Sequence, residues 1–559
     1  MAERDDGREH FDYVVIGGGS AGAVIAARLS EDPETSVLLL ESGRQSHHPG
    51  LRLPIAFAKV HRWRRFSWQY RSEPEPGLNG RRLRVWRGRV LGGSSSVNGL
   101  IYTRGHHADY ERWRAMGLKG WGYAEVLPYF RRLERSWRGA GRYHGVSGPV
   151  GVSRVELPIA NYEAFDTSAV AAGHPRSADQ YGEQPTGVSR LELTVERGER
   201  ASTATAYLRP AVKRPNLTVR TRCLVTRLLI SGGRARAVEY RRRGQLEQAS
   251  GVRELIVCAG AIQSPVLLML SGIGPGQHLQ SLGIRTLVHR PAVGRNLQEH
   301  PIVPVVWQAR HTETFLKYLR WDQALLRAAH WAAMRTGPFA TNACYANVFA
   351  QSQSSLHQPD IQIVATTVGL DAATWFPLLT RRPIHRFVAI AGILHPASRG
   401  WIQLRSANPL DPPCIQYNLL QEASDTDGML RAVRMAREIY RQKPMQELIG
   451  AELSPGADCR SDHDLLEALR NGTGLGQHPV GTCRMGMDDE AVLDAELRVR
   501  GIEGLRVVDA SVMPDLVGGN TNVPTIMIAE RAADMIRGRM LPPEPIYPME
   551  TAVPASANV

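Results

Sequence analysis

The chain has 559 residues, 43% hydrophobic and 22% charged, a globular composition over a length too great for one compact core. Glycine and proline, at 53 and 35 copies, are spread along the whole sequence and exclude collagen-like, coiled-coil and mostly disordered architectures. The formal net charge is +14, but the arginines are dispersed and lysine occurs only at Lys59, Lys119, Lys213, Lys317 and Lys443, so no nucleic-acid-binding stripe is expected. No run of about 18 apolar residues occurs. Met1-Ala2-Glu3-Arg4-Asp5-Asp6 lacks the basic start and apolar stretch of a secretory signal, so the expectation is no membrane span and a cytoplasmic location. Cys223, Cys258, Cys344, Cys414, Cys459 and Cys483 have no paired spacing, which predicts neither a zinc site nor a disulfide framework.

Phe11-Asp12-Tyr13-Val14-Val15-Ile16 reads as a buried strand that runs into Gly17-Gly18-Gly19-Ser20-Ala21-Gly22. A helix follows through Ala23, Val24, Ala26, Ala27 and Leu29 until Pro33, and residues 36–40 form a second strand ending at Glu41. In this βαβ opening Gly17 permits the tight turn, Gly19 admits a pyrophosphate to the backbone, and Gly22 lets helix and strand pack closely. Glu41 stands where an acid holds an adenosine ribose hydroxyl. The fingerprint predicts a dinucleotide and does not distinguish FAD from NAD.

Further along, Gly88-Arg89-Val90-Leu91-Gly92-Gly93-Ser94-Ser95-Ser96-Val97-Asn98 forms a second glycine–serine loop, either an ordinary turn or a surface of backbone donors for a phosphate or ring edge. Cys258-Ala259-Gly260 leads from a strand into the apolar helix of Val266, Leu267, Leu268, Met269 and Leu270. Residues 471–477, rich in glycine, read as a loop that displays His478, followed by Pro479-Val480-Gly481-Thr482. An imidazole that titrates near neutrality suits proton removal from an alcohol. Val508-Asp509-Ala510-Ser511 and Gly519-Asn520-Thr521-Asn522-Val523-Pro524-Thr525 close the series.

With these blocks in order from about residue 11 to 535, the chain resembles the glucose-methanol-choline (GMC) family of FAD-dependent oxidoreductases. The resemblance implies an α/β FAD-binding Rossmann-like domain, discontinuous, plus an α+β substrate domain with an antiparallel sheet. It places cofactor contacts at Gly17, Gly19, Ser20, Ala21, Gly22, Glu41, Leu91, Gly93, Ser94, Val97, Asn98, Val225, Ala259, Asp509, Ala510 and Asn522. Val97 falls where covalently linked members carry a histidine, so FAD is expected to be non-covalent. The resemblance also makes His478 the base and sets Asn520 beside it, where an amide can hydrogen-bond the substrate oxygen but cannot be the base.

The FAD-binding pieces are expected at 11–45, 80–105, 205–300 and 470–540, and the substrate-binding pieces at 145–200 and 305–465. Residues 400–404 read as a strand of the substrate sheet, and 542–559, rich in Pro, Ala and Ser, as a disordered tail. The expected reaction is oxidation of a small alcohol, with oxygen or another electron acceptor completing turnover. A related lyase with structural FAD, and a non-catalytic flavoprotein with a basic partner-binding surface, are the alternatives. Choline-oxidising members bear an acid in the block similar to residues 337–345, at a position that falls here on Tyr345. The expected substrate is therefore a neutral primary alcohol, aryl alcohols included, or a hydrated aldehyde.

Overall fold

The structure is a computed structural model that describes residues 9–157, 161–369, 371–377, 379–380 and 383–545. The strand Glu9–Ile16 lies between Val37–Glu41 and Gln245–Val257 and is parallel to both. Leu217–Thr221 extends this sheet beyond Val37–Glu41, and Leu505–Val507 joins Gln245–Val257, again in parallel. Gln245–Val257 then turns antiparallel through Arg234–Arg242 to Cys223–Ser231, which makes the seven-stranded sheet mixed. Val14, Val15, Val37, Leu38 and Leu39 are wholly buried, as strands covered on both faces require.

Two glycines fix how the first strand enters the helix Gly22–Leu29. Gly17 has φ +100°, and a Cβ there would lie 2.5 Å from the Cys258 carbonyl oxygen. At Gly22 a Cβ would fall 1.8 Å from the Gly17 oxygen, so only glycine lets the helix start this close to the strand. The helix Asn522–Arg537 packs across Gly22–Leu29, with Arg28 paired to the buried Glu530 at 2.8 Å.

A second seven-stranded sheet is antiparallel throughout, in the order Ile449–Ser454, Pro301–Ala309, Arg386–Ile393, Ile361–Thr366, Cys344–Ala350, Gly187–Arg190, with Gly474–Leu475 also on Pro301–Ala309. One face packs on the helix Ala423–Arg441, where Trp307 stacks on Tyr440 with centroids 4.0 Å apart. The other face meets the glycine-rich loops of the first sheet across a cavity.

Three expectations change. Trp401–Gln403 is a strand, but it pairs with Cys414–Gln416 in a separate two-stranded ribbon, and the preceding Gly400 bridges Leu297. The expected loop at 471–477 begins inside the helix Asp462–Gly472 and contains the strand Gly474–Leu475. The expected tail is ordered at its start: Glu544 pairs with Arg131 at 2.8 Å and its N–H reaches the Ala124 carbonyl, while 546–559 lie outside the described residues.

Candidate functional site

One elongated cavity runs between the two sheets. All the residues named from the sequence for cofactor or catalysis line it except Gly22 and Leu91. Gly22 acts by the close packing already described. Leu91 lies behind the loop, its N–H on the Arg44 carbonyl and its own carbonyl accepting from the Ser96 hydroxyl.

At one end the chemistry is mostly backbone. The helices Gly22–Leu29, Gly260–Leu270 and Asn522–Arg537 start at Ala21, Ala259 and Thr521, all on the cavity wall and none capped by its own side chain. Unsatisfied amides and the positive ends of helix dipoles therefore converge there, as an anionic pyrophosphate requires. Asp509 takes up one of these donors, accepting from Gly260 N at 2.8 Å, Ser264 Oγ at 2.6 Å and Ser511 N at 2.8 Å. Glu41 braces the first loop, with Oε2 accepting from Gly18 N at 2.9 Å and Oε1 from Gly43 N at 2.6 Å; burial raises its pKa. Ser20 Oγ donates to Asn522 Oδ1 at 2.9 Å and so ties the first loop to the last helix.

Asn98 owes its orientation to a residue that sequence reasoning missed. Its Oδ1 accepts from Arg200 Nη1 at 2.7 Å and from Leu100 N at 3.1 Å, so its NH₂ group is the end left for the cavity. Arg200 is 2% exposed and faces no carboxylate among the described residues; Nε and Nη2 are buried without a partner among them, and burial pushes its pKa down to about 9. In the sequence it is one arginine among many.

Farther along, His478 sits in a chain of hydrogen bonds whose direction can be worked out. The Leu394 carbonyl can only accept, so His300 Nε2, 2.9 Å away, carries the hydrogen and His300 Nδ1 holds a lone pair. His478 Nδ1 is 2.9 Å from that lone pair and must donate to it, which leaves the His478 lone pair on Nε2, facing the Asn520 amide nitrogen at 2.9 Å. Glu299 Oε1 holds both histidines in place from behind, accepting from His478 N at 2.7 Å and His300 N at 3.0 Å.

Desolvation, with His300 and Arg87 adding to it, lowers the His478 pKa well below its ordinary value, and burial lowers that of His300 to about 4. The sequence-based value near neutrality is thus corrected: the imidazole is neutral at pH 7 because it is buried. Burial raises the Glu299 pKa to about 8. Neither Glu299 nor His300 was found from the sequence. Their signal is a titratable pair before Pro301, at the mouth of a strand, which is weak without the fold.

The substrate-side wall comes from the second sheet, through Ile302, Cys344, Gln362, Val364, Ile390 and Gly392. The lining carboxylates, Glu41 and Asp509, stand at or just past strand ends of the first sheet, and Arg87 is the lining arginine. Tyr345, the expected counterpart of a choline-binding acid, does not line the cavity. It is buried away from the cavity, edge-on to Phe165 with centroids 5.9 Å apart, because the register of its strand shifts between Cys344 and Ala346 and Cys344 takes the cavity face.

Two family models described as GMC oxidoreductase match residues 11–302 and 396–529. The chain is 40% identical over 530 residues to an oxygen-dependent choline dehydrogenase of Rhizobium rhizogenes, covering 94% of this chain and 96% of the relative. Among solved structures, pyridoxine 4-oxidase from Mesorbium loti superposes with a TM-score of 0.84 at 30% identity, over 94% of this chain and 99% of that one. Formate oxidase of Aspergillus oryzae gives 0.88 at 26% identity, over 95% and 98%.

Proposed function

The chain belongs to the GMC oxidoreductase family, whose members bind FAD, and from that premise we propose that it oxidises a small, uncharged primary alcohol, or the hydrate of its aldehyde, with FAD held non-covalently. The observation that supports an uncharged substrate is the wall from the second sheet, which holds no carboxylate among the described residues. The converging helix starts, the close approach at Gly17 and the amide of Asn98 suit a dinucleotide with a ring system at its far end. FAD, when bound, supplies the hydride-accepting ring.

The protein's share is orientation and proton transfer. His478 Nε2 offers a lone pair at neutral pH, and the hydrogen bond from Nδ1 to His300 keeps that tautomer. An alcohol that displaces the Asn520 amide from Nε2 gives its hydroxyl proton to that nitrogen. The amide then donates to the alcohol oxygen as its charge develops. Glu299 and His300 are buried behind His478, and this poorly solvated backing strengthens these contacts. Val97 offers no nucleophile for a covalent link.

The identity to choline dehydrogenases favours a second reading, choline itself. Two features weigh against it: Arg87 is a half-buried cation on the cavity wall, and Trp68 and Trp86 already carry Arg89 and Arg62 at 4.0 and 5.9 Å from their rings. Anaerobic mixing of the holoenzyme with benzyl alcohol or choline at equal concentration decides between them. Faster bleaching of the flavin band near 450 nm, about where cofactor-carried redox chemistry is read, is expected with benzyl alcohol. Faster bleaching by choline would reverse the assignment, and bleaching by no alcohol would favour a lyase or a non-catalytic flavoprotein. Acid precipitation should release all FAD into the supernatant; flavin fluorescence retained by the polypeptide would contradict non-covalent binding.

A further inference from the structure

The wall that the second sheet turns to the cavity is apolar except at Gln362. Of its two cross-strand partners, Phe349 flanks it on one side and Gly392, on the other, has no side chain to cover it. The amide's orientation is set at a distance. Gln180 Nε2 lies 2.7 Å from the Gly187 carbonyl and 3.3 Å from that of Asn347, both of which only accept. Gln180 Oε1 therefore faces Asn347 Nδ2, at 2.9 Å, and Asn347 Oδ1 in turn accepts from Gln362 Nε2 at 3.0 Å. The chain of amides runs one way only, and it ends with Gln362 Oε1 as an acceptor that has no protein partner among the described residues. Asn342, the other amide near this wall, is engaged by backbone at both ends, with Nδ2 on the Gly99 carbonyl and Oδ1 on Cys344 N.

Resting on the alcohol-oxidising function argued above, we propose that Gln362 Oε1 is a specificity determinant that selects primary alcohols carrying a second hydrogen-bond donor, a hydroxyl or N–H, on the part of the molecule remote from the carbinol. The rest of the wall gives such a substrate apolar contact for a ring or short chain. A substrate without the donor leaves the fixed carbonyl of Gln362 dry and unpaired, and a site built around one acceptor discriminates against such an analogue. Because Asn347 and Gln180 hold the amide, Gln362 cannot rotate to offer its NH₂ instead. An ether or carbonyl at the same place on the substrate is refused for that reason.

The test uses the FAD-loaded enzyme and two electronically similar alcohols, 4-hydroxybenzyl and 4-methoxybenzyl alcohol. Wild type should reduce its flavin with a kcat/KM about tenfold higher for the phenol, the scale of one neutral hydrogen bond. Gln362→Leu should erase the preference while keeping the methoxy rate within a few fold. Asn347→Ala leaves Gln362 in place but removes its hold, and should reduce the preference without abolishing turnover. Phenol and anisole, as non-reacting ligands followed by perturbation of the flavin spectrum, should show the same preference in Kd. Equal rates and affinities for the two compounds in wild type, or a preference that survives Gln362→Leu, would overturn the proposal. Bleaching by neither alcohol, with phenol still favoured over anisole in binding, would instead overturn the alcohol-oxidising function and leave the Gln362 acceptor standing.

Discussion

The two ends of the cavity are built in different ways. The end that suits the dinucleotide is assembled from loops contiguous in sequence, in which glycine, small residues and helix starts present backbone groups. The substrate end is a sheet face, to which each strand contributes one or two side chains and whose polar group, Gln362, is aimed by a relay from Gly187. Backbone sites fix geometry to within a methyl group and tolerate little change. Side-chain sites can be altered one residue at a time, which changes what is bound and leaves the fold intact.

This contrast is sharpest at Gly22. The extra methyl of Gly22→Ala would collide with the Gly17 oxygen, so the variant should yield no FAD-loaded protein on purification, read as the ratio of absorbance near 450 nm to that at 280 nm. A normal flavin ratio would show that the backbone end is softer than described. His478→Ala should retain FAD yet lose flavin reduction by about 10²-fold or more, the low end of a general base's contribution. In wild type the burial-lowered His478 stays neutral below 6.5, so the reduction rate should hold level as pH falls from 8 through 6.5. A drop by half near 6.5 would mean an imidazole more hydrated than the structure shows.

Arg200→Met removes a donor from Asn98 and frees the amide to turn. FAD dissociation should accelerate about tenfold, as for loss of one charge-assisted hydrogen bond, and Arg200→Lys should recover part of it. Unchanged FAD release in the methionine variant would remove Arg200 from the cofactor's support. Glu299→Gln is gentler, since glutamine keeps a carbonyl for both histidine N–H groups. Glu299 has its pKa raised from 4.5 to about 8, so its stabilising contribution is complete below 4.5 and is lost progressively as pH rises toward 8. The glutamine variant should therefore gain stability relative to wild type across that window, and parallel Tm–pH curves would refute this. Ile390→Val on the substrate wall should cost only about 0.5–1.5 kcal/mol and shift KM more than FAD content.

The same contrast governs what could be read from the sequence. The turn at Gly17–Gly22, the acid at Glu41 and the display of His478 and Asn520 belong to short stretches whose residue types carry their own chemistry, and the structure gathers them on one cavity. Glu299, His300 and Arg200 were missed because their roles depend on partners far away in the chain: Leu394 for the histidine, residues 95 and 98 for the arginine. Gln362 is invisible for the same reason, since its orientation is decided at Gly187. Tyr345 was misplaced because the strand's register shifts between Cys344 and Ala346, and a slip of one residue exchanges cavity for core.

The mixed sheet begins at Glu9 and gains its last strand, Leu505–Val507, almost five hundred residues later, followed by the helix that carries Asn522 and Glu530. Until that last stretch has left the ribosome, Ser20 lacks its tie to Asn522 and Arg28 its carboxylate, and the groove for the nucleotide is open along one flank. Cofactor capture is consequently a late event of biosynthesis, reached after the second sheet's strands are already made. Nascent chains should pass through a long flavin-free interval in which apolar strands await partners and chaperone attendance matters most.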